Sequence, residues 1–127
     1  MNKEEIINIL KKYNFDKDQY IVISGACMVL YGIKEITSDI DISVTDEYYN
    51  YLINNYDCTF ERINEFGEKV YFIDNIINFS RSYYTKKKEY INDIPVQNLD
   101  ELIKLKEYLN RDKDKIDIER IRKYKGD

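Results

Sequence analysis

The chain has no histidine and only two cysteines among its 127 residues. Without histidine, imidazole acid–base catalysis and the common zinc sites are excluded. A bound metal would take oxygen ligands, which favours magnesium, manganese or calcium. Cys27 and Cys58 fit neither a zinc motif nor a disulfide framework and read as free, buried thiols. Long apolar runs are missing as well. The longest charge-free stretch, Gln19 to Ile33, is shorter than the ~20 residues a membrane-spanning helix needs, and Ser24, Gly25 and Gly32 interrupt it. The N-terminal Met-Asn-Lys-Glu-Glu lacks the basic-then-apolar pattern of a signal peptide, so a cytoplasmic protein without a membrane partner is expected. Repeats and low-complexity linkers are absent.

Charged residues make up 35% of the chain and hydrophobic ones 43%, a balance suited to a globular protein. The length suits a single domain over residues 1–127, burying roughly two-thirds of its unfolded surface. A net charge of −4 gives no general attraction for nucleic acid, and the one dense basic run, Lys86-Lys87-Lys88, reads as a solvated loop.

Apolar positions Ile6, Ile7, Ile9, Leu10 and Tyr13 predict a helix over Lys3–Tyr13. Tyr20–Ile23 reads as a buried strand broken by Ser24-Gly25, with a short helix from Ala26 to Tyr31 ending at Gly32. From Asp39 to Val44 the pattern alternates, with Ile40, Ile42 and Val44 on one face and Asp39, Asp41 and Ser43 on the other. Asp46 is expected to cap a helix running through Tyr56. Strands are expected over Thr59–Ile63, Lys69–Ile73 and Ile76–Ser80, with Asp74-Asn75 as a hairpin turn. After the polar stretch Arg81–Asn92, Ile94-Pro95-Val96 reads as an edge segment, where proline is tolerated. Two helices close the chain, over Leu99–Leu109 and Asp112–Tyr124. This order implies an α/β (α+β) domain: a mixed central sheet flanked by helices, with a C-terminal helix pair.

Two elements carry candidate chemistry. At Ser24-Gly25 the glycine allows close approach to the backbone, and the following helix offers unpaired N–H groups and a positive dipole end to a phosphate. Alternation places Asp39 and Asp41 on one strand face, roughly 7 Å apart, where a divalent cation would relieve their repulsion. Either feature alone is common as a tight connection or a solvated face. Together they mean more, because residues 26–38 are enough for a helix and a return to the neighbouring strand. A triphosphate could then rest on the turn while its metal ions sit on the aspartates, as two-metal transfer requires.

The segment ISGACMVLYGIKEITSDIDISV resembles the signature of the nucleotidyltransferase superfamily, in which Gly and Gly or Ser precede an Asp-x-Asp strand. Ser24 stands where the first glycine usually does, and Gly25 matches the second. The segments IPVQNLDELI and LDELIKLKEYLNRDKDKIDIERI resemble the closing strand and helices of stand-alone bacterial members, including toxin-type, abortive-infection-type and antibiotic-modifying transferases. Lys106, Arg111, Asp114 and Asp117 match a recurring Lys, Arg, Asp, Asp pattern. Lys106 is the one expected to touch a phosphate, and scaffold and substrate-contact roles stay open for the rest.

The resemblance implies a nucleotidyltransferase fold and a Mg²⁺- or Mn²⁺-dependent transfer of a nucleoside monophosphate from a nucleoside triphosphate to a hydroxyl. The acceptor could be a tRNA, a protein or a small molecule, and an antitoxin or a second copy of the chain could be a partner. Asp39, Asp41 and Asn78 would form the catalytic centre, with Ser24, Gly25 and Lys106 on the nucleotide. One departure bears on activity. The family carries a third carboxylate on a later strand, and Asn78 of Ile77-Asn78-Phe79 occupies that place. An amide can ligate a metal but takes no proton near neutral pH. A degenerate nucleotide-binding module or a toxin–antitoxin component is therefore the alternative.

Overall fold

The computed structural model describes residues 1–126, built as five helices and one mixed seven-stranded sheet, an α+β arrangement. In chain order the elements are α1 (Lys3–Tyr13), β1 (Tyr20–Ile23), α2 (Ser24–Tyr31), β2 (Ile40–Val44), α3 (Asp46–Asn55), β3 (Cys58–Ile63), β4 (Lys69–Ile73), β5 (Ile77–Ser80), β6 (Lys88–Ile91), β7 (Ile94–Gln97), α4 (Leu99–Leu109) and α5 (Asp112–Lys125). The strands lie in the order β3-β4-β5-β2-β1-β7-β6. Among the described residues no helix is long and apolar enough to cross a membrane.

Local chemistry explains most boundaries. Asn2 caps α1 by accepting from the Glu5 N–H, and the Glu5 side chain reaches back to the Asn2 N–H, a reciprocal capping box. The β4–β5 turn places Asp74 and Asn75 at φ 55° and 56°, the positive values a tight hairpin turn needs. Asn92 and Asp93 do the same between β6 and β7, at 49° and 68°.

Three expectations are corrected. Thr45, not Asp46, caps α3: its hydroxyl accepts from the Tyr48 N–H, and Asp46 is the first helical residue. The polar stretch Arg81–Asn92 contains strand β6, which is exposed at the sheet edge and so carries little apolar alternation. β7 consequently lies inside the sheet rather than at its edge. Pro95 is accommodated there because the ladder to β1 is confined to Val22↔Val96, leaving its missing N–H without a required partner on that side.

The core draws on every layer. Ile40, Ile42 and Val44 of β2 pack with Ile6 and Leu10 of α1, the apolar residues of α2, Leu52 of α3, and Leu102 and Ile121 of the last two helices. β2 alternates, so this anchoring commits Asp41 and Ser43 to the opposite face.

Candidate functional site

Sheet register brings the motifs together. β1 and β2 are antiparallel with Ile23 opposite Asp41, so Ser24 and Gly25, which are the first residues of α2 rather than a turn before a helix from Ala26, leave β1 at the end where β2 begins. β5 runs parallel to β2 with Asn78 beside Asp41, and the Ile40 N–H donates to the Ile76 carbonyl at 2.9 Å, fixing that register. Ile23, Asp41 and Asn78 thus form one row across three adjacent strands. Asn78 is buried, and its Nδ2 donates to Asp39 Oδ2 at 3.0 Å. Asp39 and Asp41 therefore flank one amide.

Electrostatics mark this row by a carboxyl that resists ionising. Burial pushes the Asp41 carboxyl up to about 7, and the charge of Asp39 adds to the rise. The Asn78 amide and the more distant Arg62 offset only part of it. Two carboxylates so arranged, with an amide oxygen able to rotate in, make a donor set suited to a hard divalent cation. Among the described residues, no set of three or more carboxylate or thiol side chains converges as a metal site. Glu61 is close enough to add to the rise of Asp41, but it does not converge with the two aspartates.

The turn departs from ordinary geometry in a way that matches its composition. Ser24 has φ 58°, the left-handed region where glycine is at ease and a serine is strained. No side chain caps the start of α2, leaving its first N–H groups without a side-chain partner. At Gly25 a Cβ would fall 2.9 Å from the Thr37 hydroxyl oxygen, so a larger residue there would require the Thr37 side chain to move.

A cavity of about 170 Å³ opens on this row. Ser24, Asp41 and Asn78 lie along it together with Arg62, Arg111 and Lys113. Glu65 lines it as well, and Arg62 is paired with Glu61 at 3.1 Å, so its wall carries charges of both signs. No family model, curated protein or solved structure matches the chain. The site must therefore be read from its own residues.

Lys106 is not among the residues facing this cavity. Its ammonium is buried 3.0 Å from Asp117 Oδ2 and 3.7 Å from Asp114 Oδ1, and reaching a phosphate would mean leaving both carboxylates. Lys106 is thereby part of the scaffold joining α4 to α5. Arg111, from the same sequence pattern, is the residue that arrives at the cavity. Asp114, fully buried, holds it by accepting from Arg111 Nε at 2.7 Å, Nη2 at 3.1 Å and the backbone N–H at 3.0 Å. Burial alone would raise the Asp114 carboxyl; the bonds and charge of Arg111, with Lys106, outweigh it and hold it below the ordinary range. Asp74 faces elsewhere and accepts from the Tyr13 hydroxyl on α1.

Sequence reasoning missed Arg62 and Lys113. Arg62 follows an irregularity between Phe60 and Arg62 in the β3–β4 ladder, so simple alternation does not tell which way it faces. Lys113 had a usable signal: it stands two residues beyond Arg111, in the first turn of α5.

Proposed function

We propose that the chain is a Mg²⁺- or Mn²⁺-dependent nucleotidyltransferase, with the nucleotidyltransferase fold, that moves a nucleoside monophosphate from a nucleoside triphosphate to a hydroxyl. The observation that carries the reading is the placement of Asp41 and Asn78 side by side, next to the uncapped start of α2, on a cavity walled by Arg62, Arg111 and Lys113. Asp39 and Asp41 would hold the metal, with the Asn78 amide oxygen as a further ligand. When bound, the cation would neutralise phosphate charge and the two carboxylates together. Ser24 and the first N–H groups of α2 would receive phosphate oxygens, and the three cationic side chains would balance the remaining charge. As the acceptor oxygen bonds to the α-phosphorus, the bond to the bridging oxygen would break and pyrophosphate would leave; the acceptor's proton would go to a base other than Asn78, whose amide cannot take it.

That last point supports a second reading, a module that binds nucleotide without transferring it. The amide of Asn78 is engaged with Asp39 where the family places a carboxylate. One experiment separates the two readings. The protein is incubated with each α-labelled triphosphate, magnesium and a total cell lysate, while melting is followed with and without magnesium triphosphate. Label transferred to a macromolecule or small molecule supports the enzyme. A melting shift without transfer supports the binding module, and neither effect refutes both.

A further inference from the structure

An aromatic row leaves the candidate site and ends on the surface. Tyr83 lines the cavity, its ring meets Phe66 edge-on with centroids 4.3 Å apart, and Phe66 stacks on Tyr108 at 5.0 Å with 25° between their planes. Burial declines along the row: Phe66 is 36% exposed and Tyr108 65%. Among the described residues Phe66 is the one ring packed on Tyr108, and exposure of this degree leaves the opposite face of Tyr108 open to solvent.

Both outer rings stand on well-held backbone. Tyr108 lies on α4 three residues after Leu105, which lines the cavity together with Leu109, so the helix carries the Tyr108 ring to the cavity's rim. Phe66 sits in the β3–β4 turn, which Asn64 Oδ1 closes by accepting from the Phe66 N–H at 2.9 Å and the Glu68 N–H at 3.1 Å. Asn64 Nδ2 donates to the Ser82 hydroxyl at 2.9 Å, tying that turn to the segment that carries Tyr83. A flat ring face fixed in this way beside a polar cavity is pre-organised for a flat ligand.

We infer that Tyr108, backed by Phe66, is the platform on which the nucleobase of the bound nucleoside triphosphate stacks. The inference rests on the nucleotide reading of this site. Cavity volume separates the two ends of the ligand. At about 170 Å³ the cavity is below the roughly 300 Å³ at which pockets enclosing whole small ligands begin, so a nucleoside stays outside while phosphates enter. A nucleobase left outside needs a surface at the rim, and the row of rings leads to one. Stacking uses the π-face that every base has, so Tyr108 adds affinity for a nucleoside without selecting one base.

Tyr108→Ala removes the ring from an exposed helix position, and Tyr108→Phe keeps the ring and removes the hydroxyl. The test is calorimetric titration of wild type and both variants with each of the four magnesium ribonucleoside triphosphates and with magnesium tripolyphosphate. For every nucleotide that wild type binds, Tyr108→Ala is expected to lower affinity about tenfold, a loss in keeping with one base–aromatic stack, and Tyr108→Phe to leave it unchanged. Tripolyphosphate affinity is expected to be the same in all three proteins. An equal loss for tripolyphosphate would show that the ring supports the cavity rather than a base, and would overturn the inference. So would unchanged nucleotide affinity in Tyr108→Ala, a Tyr108→Phe variant as weak as Tyr108→Ala, or a wild type that binds nucleotides no tighter than tripolyphosphate. Those results leave the nucleotide reading standing. Wild type that binds none of the five probes overturns that reading and this inference with it.

Discussion

Replacing Asp41 by asparagine should stabilise the ligand-free protein, and the gain should depend on pH. Asp41 is half-buried beside Asp39, and its carboxyl rises from an ordinary 3.8 to about 7, first through burial and then through the neighbouring charge. That spans roughly three pH units at about 1.4 kcal/mol each, so ionising Asp41 in the folded protein costs at most about 4 kcal/mol. Rearrangement and water entry lower this, and about 2 kcal/mol is a working figure. Because the folded protein keeps a proton that the unfolded chain has released, stability falls as pH rises from about 4 to about 7. The full cost is present above that window. Asp41→Asn has nearly the same shape and cannot ionise. It should be about 2 kcal/mol more stable than wild type at pH 8, with the difference shrinking to about 1 kcal/mol or less at pH 4.5. Urea unfolding in EDTA at both pH values measures this. A variant no more stable at pH 8, or one whose gain is the same at both, would refute the account of Asp41 as a desolvated, repelled carboxylate.

Asn78→Asp replaces the donor now 3.0 Å from Asp39 with a third carboxylate. In EDTA it should lose about 1–3 kcal/mol, and added magnesium should restore that loss; melting indifferent to magnesium would count against a metal site here. Gly25→Ala should lose about 1–3 kcal/mol by overpacking, because its methyl would meet the Thr37 hydroxyl at 2.9 Å. Combining it with Thr37→Ala should recover most of that loss, which a urea double-mutant cycle would show as non-additivity. Asp114→Asn removes the buried partner of Arg111 and Lys106 and should lose about 3–5 kcal/mol by chemical denaturation. Since the Asp114 carboxyl lies below its ordinary 3.8 in the folded protein, its contribution is present above about pH 4 and fades as pH falls further. Wild type should therefore lose its advantage over this variant in acid.

Elements whose signals are local were legible in the sequence. The bounds of α1, β1 and α4 follow from periodicity, a β-branched run and turn residues, each acting over a few neighbours. The alternation of Ile40, Ile42 and Val44 showed which side of β2 would join the apolar core, and the fold shows that the side of Asp41 and Ser43 is covered as well. The meeting of the turn with the carboxylates was also foreseeable, because the short chain between them allows little besides a helix and a return strand. The β2–β5 register puts Asn78 beside Asp41.

The remainder depended on which surfaces meet, and no local rule encodes that. β6 carries few buried residues, so its edge position left no periodic signal, and without it β7 read as an edge. Lys106 and Arg111 are both basic residues near the α4–α5 corner; the sequence pointed to Lys106, and the fold brings Arg111 to the cavity. Packing of α5 against α4 places Asp114 and Asp117 around Lys106, which withdraws its ammonium from the cavity, while the same Asp114 holds Arg111 at it. Tyr83 owes its place to long-range contacts with Phe66, within the β3–β4 turn, and through it with Tyr108 on α4. Gly25 shows the division most plainly: its need for a missing side chain was visible in the sequence, but only the fold shows that Thr37 fills the space a Cβ would take.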